Sequence, residues 1–188
     1  DTLGYKVLAW GEGGFRNILS QKPIRTPADL KGMKIRVQQT EVAISMVRAL
    51  GAEATPMDYA EVFQGLQTGI VDGAENDFVS YYTSGHYEVA KYYSLDQHMA
   101  PPAVLLMSKA SWDKMTEAQQ EAVRKAAYEA AVWQRQAMQD YQLESRAACE
   151  AAGCEIIEVD VPSFQAAVAS VYDEYPQYKT IVDMINAV

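Results

Sequence analysis

The 188-residue chain has little sulfur, little histidine and a deficit of positive charge, and each shortage removes a class of function. Its two histidines stand at 86 and 98 and its two cysteines at 149 and 154, a spacing that fits no zinc motif. No metal and no cofactor is therefore expected. Lys and Arg number 16 against 25 Asp and Glu, giving a formal charge of −9 and a pI near 4.7. Such an acidic surface argues against nucleic acid and against an anionic membrane as partners. No apolar run approaches the roughly 20 residues of a membrane span, so direct membrane insertion is not expected. Asp1 opens no leader pattern, which a mature exported protein would have lost. The motifs G-x-S-x-G, H-E-x-x-H and G-x-x-x-x-G-K are missing too. A "GEGG" run does occur at 11–14. A dinucleotide fingerprint needs a helix straight after it, whereas Phe15–Leu19 reads as a strand. The glycines fit a flexible crossing between lobes better.

What the chain does have is a 49% apolar composition, enough for one or two domains with a sizeable core. The stretch from Met33 to Asp77 organises it. Three short strands read at Lys34–Gln38, Glu53–Met57 and Val71–Asn76, with helices at about 41–50 and 59–67 between them. Strand, helix, strand, helix, strand with short links predicts a parallel βαβαβ sheet in an α/β fold. Gly51 stands where a left-handed helix end is wanted, and Asp58 with Glu61 matches a capping box. In such sheets ligands bind beyond the carboxyl ends of the strands. Arg36, Gln38, Gln39, Asp58, Tyr59, Glu75, Asn76 and Asp77 occupy those ends. A guanidinium on one strand end and an amide on another suit a small carboxylate bearing hydroxyls. Alternation puts Ile35 and Val37 on one face of the first strand and Arg36 on the other, so Arg36 need not be buried.

The remaining elements follow from local signals. Tyr5–Trp10 and Phe15–Leu19 read as strands, and Arg16 follows the glycines. Thr26-Pro27-Ala28-Asp29 starts a helical turn. Phe78–Ala90 reads as one helix carrying Tyr81, Tyr82, His86 and Tyr87. Tyr92–Met99 and Val104–Lys109 read as strands around "APPA", and the nearly all-apolar "AVLLMS" predicts burial on both faces. Thr116 and Gln119 form a capping box that opens a helix to about Ala152, ended by Gly153. Glu155–Val159 reads as a strand, and 162–175 and 179–187 as amphipathic helices. In "CEAAGC" the spacing leaves two thiols and a local disulfide both open.

The pieces G-x-K-I-R-V, A-L-G-A, T-P-M, E-V-F-x-G-L-Q-T-G and V-D-G-x-E-N occur here in that order between Gly32 and Asn76. Together with "KPIRTPADLKG" upstream and "HYEVAKYYSL" downstream, they resemble the solute-binding proteins of TRAP transporters, the tripartite ATP-independent periplasmic (DctP) family. The resemblance implies a two-lobed, periplasmic-binding-protein-like fold, incomplete here, with a parallel-type sheet lobe and a long helix. It divides the chain into a ligand-binding α/β lobe at 14–101, a partial second lobe with hinge crossings and the long helix at 1–13 and 102–150, and a C-terminal strand and helices at 151–188. Roughly the first third of a family member is expected to be absent.

By the same resemblance the chain captures a small organic anion in the periplasm and delivers it to the membrane permease subunits of the transporter. Arg16, Arg36 and Asn76 match the family's main ligand contacts, and Gln39 a more variable one. Arg36 would fork onto the ligand carboxylate. Tyr59 would form a wall, and Asp77 and His86 would add hydrogen-bonding groups for a polyhydroxylated ligand. "RVQQ" and "GAENDFVSYYTSGHYEVAKYYS" most resemble members that bind hexuronates, such as D-glucuronate or D-galacturonate. A four-carbon dicarboxylate or other organic acid is the alternative within the family. An α/β enzyme acting on a sugar acid, with Glu75 and Asp77 as acid and base, is the alternative class. The expectation is a binding protein, not an enzyme.

Overall fold

The computed structural model describes residues 3–187. In chain order, β1 (Tyr5–Glu12) leads across the glycines to β2 (Arg16–Ser20). Then come β3 (Lys34–Val37), α1 (Glu41–Ala49), β4 (Glu53–Pro56), α2 (Val62–Gln67) and β5 (Gly73–Asn76). Two short helices follow, α3 (Phe78–Thr83) and α4 (His86–Val89), before β6 (Tyr92–Met99) and β7 (Pro102–Ser108). After α5 (Lys109–Trp112) the chain forms α6 (Glu117–Ala151), β8 (Glu155–Ile157), α7 (Val161–Val168), α8 (Val171–Glu174) and α9 (Lys179–Asn186).

The strands make a six-stranded mixed sheet in the order β4-β3-β5-β2-β6-β8 and a separate antiparallel pair, β1-β7. β3 lies between β4 and β5 and is parallel to both, as the βαβαβ pattern predicts. β2 runs antiparallel to β5 and β6. Apolar clusters cover the two faces. One gathers Ile18, Ile35, Val37, Met46, Val47 and Phe164; the other gathers Leu19, Leu66, Val71, Tyr81 and Tyr93. Ile18 and Leu19 are neighbours in β2 and serve opposite clusters because side chains alternate across a strand. Burying one such Leu or Ile is worth about 1.5–3 kcal/mol.

The helix signals at 116–153 hold. Thr116 Oγ1 accepts from Gln119 N, and Thr116 N donates to Gln119 Oε1 at 2.9 Å. At the far end Gly153 takes φ +83° and Cys154 N donates to Cys149 O at 3.0 Å, the 6→1 bond of a Schellman ending. Both cysteines are buried and free. Burial first, and then the neighbouring Cys154, push the Cys149 thiol up to about 12.

Four expectations fail locally. The apolar β7 is not buried on both faces: Val104, Leu105 and Leu106 are 42%, 47% and 45% exposed. Among the described residues β1 is its one partner strand, so the ribbon lacks the neighbours that double burial requires. The helix expected over 78–90 is two helices, because Gly85 takes φ +70° at the N-cap of α4 and turns the chain. Asp58 does not cap the turn at Tyr59–Glu61; its carboxylate instead accepts from Gln39 Nε2 at 2.9 Å. The helix expected over 162–175 is likewise two short pieces, α7 and α8. In the C-terminal segment β8 forms the edge of the sheet beside β6, and Phe164 enters the cluster that holds Ile35 and Val37.

Candidate functional site

The carboxyl ends of β3, β4 and β5 converge as the parallel topology demands. Arg36, in β3, is only 4% exposed, a burial that alternation alone did not require. Its Nε and Nη2 both donate to Met57 O, at 3.0 and 2.8 Å. The carbonyl just past β4 therefore fixes the fork. The guanidinium carbon lies 5.9 Å from the Tyr59 ring centre. No carboxylate forms an ion pair with Arg36 among the described residues. Burial lowers its pKa, opposed by the nearby Glu75 charge and reinforced by Arg16.

Behind it stand Tyr59 and His86, edge to face with ring centres 5.7 Å apart. The Tyr59 hydroxyl hydrogen-bonds Ser84 Oγ. His86 is 3% exposed and its Nδ1 has no partner. Burial, and then the Arg36 charge, pull its pKa down to about 4. His86 is therefore a neutral imidazole at physiological pH.

Arg16 is placed differently. Its Nε donates to Glu75 Oε2, and its Nη2 donates to Glu75 Oε1 and to Glu75 O, each at 2.9 Å. Its charge is thus consumed by a buried fork-to-carboxylate pair between β2 and β5. Glu75 also faces His98, whose Nε2 lies 3.6 Å from Oε2, while His98 Nδ1 pairs with Asp96 Oδ2 at 2.7 Å. Burial alone would depress His98, but the Asp96 and Glu75 carboxylates hold it up at about 9. Glu75 itself is buried, which works against ionisation. The proximity of His98 and the bonds from Arg16 prevail and hold its pKa below the ordinary value. Arg16 and Glu75 cancel, as do His98 and Asp96. Among the described residues of this group Arg36 is the cation left over.

Asn76 Oδ1 accepts from Asp77 N at 3.1 Å, and Asn76 O accepts from the Tyr93 hydroxyl at 2.8 Å. Its Nδ2 has no acceptor among the described residues. Asp77 caps α3: its Oδ1 accepts from Ser80 N at 3.1 Å and its Oδ2 from Ser80 Oγ at 2.7 Å. Gln142 Nε2 donates to the same Oδ1 at 3.2 Å. Gln39 is exposed and tied to Asp58. The fold thus brings Arg36, Tyr59 and His86 into one group, with Asn76, Arg16 and Glu75 alongside on β5 and β2. It commits the Asp77 carboxylate to a helix cap.

Sequence reading missed His98 and Asp96. They stand at i and i+2 in a strand, a spacing that puts two side chains on one face, and that was the available signal. Gln97 between them has φ +49°, and its N–H donates to Asn17 Oδ1 at 2.9 Å. Among the described residues no group of His, Cys, Asp and Glu could hold a metal ion, and no helix is long and apolar enough to cross a membrane.

Comparison with known proteins follows the same line. The family described as bacterial extracellular solute-binding protein, family 7 (DctP), matches residues 1–178. A solute-binding protein of Chromohalobacter salexigens is 43% identical over 99% of this chain and 58% of its own length. A TRAP periplasmic solute-binding protein of Xanthobacter autotrophicus, solved with bound β-D-galacturonate, superposes with a TM-score of 0.94 at 44% identity, covering 100% of this chain and 64% of its own. One from Pseudomonas putida, with bound D-glucuronate, gives a TM-score of 0.95 at 41% identity, with 100% and 62% covered. The chain therefore spans about three fifths of the length of the relatives it matches.

Proposed function

Since this chain belongs to family 7 of the bacterial extracellular solute-binding proteins, we propose that it supplies the anion-receiving part of a periplasmic protein that binds a hexuronate, D-glucuronate or D-galacturonate, and passes it to TRAP permease subunits. The observation that carries this reading is Arg36. A buried charge costs several kcal/mol unless something compensates it. Here the one hydrogen-bond acceptor is a carbonyl; Glu75 and Asp58 act on the charge only from a distance, and among the described residues no carboxylate pairs with the fork. A ligand carboxylate would complete it with two parallel charge-assisted hydrogen bonds. Asn76 Nδ2 would donate to a ring hydroxyl, and Tyr59 would flank the sugar. Neutral His86 would back that wall without adding a second charge, so the site would select one carboxylate. Arg16, held by Glu75, would shape the floor and set the local field.

The role is capture rather than catalysis. Asp77 is occupied as a helix cap and Glu75 is locked in its pair with Arg16, so neither is poised as a general acid or base. The hexuronate choice is supported by the bound sugars of the Xanthobacter and Pseudomonas proteins. The amides of Gln38 and Gln39 beside the strand ends suit a ligand with several hydroxyls. The remainder of a complete family member would close over this half, by a shift toward a closed population on binding.

Calorimetric titration of the complete protein with D-glucuronate, D-galacturonate, succinate, a 2-oxo acid and sialic acid tests the proposal. Saturable, stoichiometric binding of a uronate, recovered unchanged after incubation, is expected. Tight succinate with no uronate would move the ligand to the dicarboxylates. A flat panel would overturn the site.

A further inference from the structure

Three glutamines on α6 reach across to the rest of the chain. Gln134 reads the backbone of Glu12 in both directions: Oε1 accepts from Glu12 N at 3.0 Å and Nε2 donates to Glu12 O at 2.8 Å. Gln139 Nε2 donates to Glu12 Oε2 at 2.9 Å. Eight residues after Gln134, about 12 Å along the helix axis, Gln142 does the same for the strand end. Its Oε1 accepts from Phe78 N at 3.0 Å and its Nε2 donates to Asp77 Oδ1 at 3.2 Å. On its other side Gln142 abuts the glycine crossing, where a Cβ on Gly14 would fall 2.1 Å from Gln142 Nε2. The link between β6 and β7 runs alongside, since a Cβ on Gly13 would fall 2.4 Å from Pro101 O. One side chain therefore sits between the β1–β2 crossing and the β5–α3 junction that presents Asn76.

We propose that Gln142 is a positioning residue for the ligand site: it holds the Asn76–Asp77 strand end in register and ties it, with Gln134, to the crossing between β1 and β2. This rests on the carboxylate-site reading of Arg36 and Asn76. Phe78 N–H is among the first amides of α3, which lack partners within the helix, and Gln142 Oε1 supplies one. Asp77 Oδ1 is also the acceptor that caps α3 at Ser80, so the Gln142 donor orients the carboxylate that fixes the turn after Asn76. A movement of the crossing therefore pulls directly on the strand end that receives the ligand. The Gln134 clamp makes α6, not the crossing alone, the element that carries the movement. Gln142 touches no ligand in this account; it acts through Asp77 and Phe78.

The test uses the complete protein with Gln142→Leu, Gln142→Glu, Asp77→Asn and the Asp77→Asn/Gln142→Glu pair. Binding of D-galacturonate and D-glucuronate is titrated, and amide exchange at Phe78 is followed without ligand. Loss of the contact is worth roughly tenfold. Gln142→Leu should weaken uronate binding about tenfold and speed Phe78 exchange by a similar factor. Gln142→Glu keeps the acceptor for Phe78 but sets one carboxylate against another, and should weaken binding at least as much. Restoring a donor from position 77 should rescue the double variant to within about threefold of Asp77→Asn, which a general loss of stability would not do. Unchanged binding and unchanged exchange in Gln142→Leu, or a double variant no better than Gln142→Glu, would overturn the proposal. If the unaltered protein binds no sugar acid, the uronate reading fails by itself. The exchange rate at Phe78 then still decides whether Gln142 holds the strand end.

Discussion

Replacing Arg36 with Met separates the two things the guanidinium does. In the ligand-free protein it is a buried cation whose two hydrogen bonds converge on one carbonyl, Met57 O. A buried ion carries an effective penalty of several kcal/mol. Charged hydrogen bonds return about 1.5–3 kcal/mol, and leaving the Met57 carbonyl without its donor costs about 1–3 kcal/mol. A methionine of similar length fills the space with no charge to desolvate. These terms nearly cancel, so Arg36→Met is expected to change the stability of the ligand-free protein by less than about 1 kcal/mol, which for a chain of this size is a shift of no more than roughly 2–4 °C in Tm. Binding changes far more. Two parallel charge-assisted bonds to a ligand carboxylate are worth about 3–5 kcal/mol together, so Kd should rise roughly a hundredfold to several thousandfold. Thermal unfolding without ligand and calorimetric titration with D-galacturonate read the two effects on one sample. Binding within fivefold of the unaltered protein would refute the carboxylate role of Arg36. A ligand-free Tm lowered by 5 °C or more would refute the claim that its charge is uncompensated.

The stability of the ligand-free protein should crest near pH 6.5, because two buried histidines are shifted in opposite directions from that ordinary value. His98 is held up at about 9, so its contribution is complete below pH 6.5 and is lost as pH rises through 9. His86 is pulled down to about 4, so its neutral form favours folding above pH 6.5 and that advantage falls away toward pH 4. The lowered pKa of Glu75 adds to the acid limb below its ordinary 4.5. Urea midpoints across this range should lose their alkaline fall in His98→Gln and flatten between pH 6.5 and 4 in His86→Gln; limbs that stay put in these variants would assign them to other groups. Gly73→Ala should cost about 1–3 kcal/mol by overpacking, since its Cβ would meet Leu19 O at 2.7 Å and Ile35 Cδ1 at 2.9 Å between β2 and β3. Gly69→Ala, at φ +73° with open space around it, should cost about 1–2 kcal/mol from backbone strain alone. A Gly73→Ala melting temperature within about 1 °C of that of the unaltered protein would mean that the sheet relaxes around the added methyl.

Much of the architecture is written in local signals. The parallel β3-β4-β5 unit follows from the spacing of apolar runs between 33 and 77, and the turn at Gly51 from a residue free to take φ +90°. The 35-residue α6 begins where Thr116 and Gln119 cap each other and ends at Gly153. Each of these depends on residues within a few positions, where φ, ψ and hydrogen-bonding partners are set by neighbours in the chain. The candidates Arg36, Tyr59 and Asn76 were legible because a parallel sheet puts the ends of its strands together, whatever the rest of the molecule does.

Tertiary structure decided which of those candidates keeps a free charge. The partner of Arg16 is Glu75, 59 residues away, and the partner of Asp77 is Gln142, 65 residues away. No periodicity reports such pairs, because two antiparallel strands or a helix laid across a sheet choose partners by register and packing, not by sequence spacing. Arg36 differs from Arg16 only in what the fold sets opposite it: a carbonyl in one case, a carboxylate in the other. The composition and motifs of this chain could name an arginine-bearing strand end. Only the folded sheet, with β2 running antiparallel beside β5, neutralised one arginine and left the other without a carboxylate partner among the described residues.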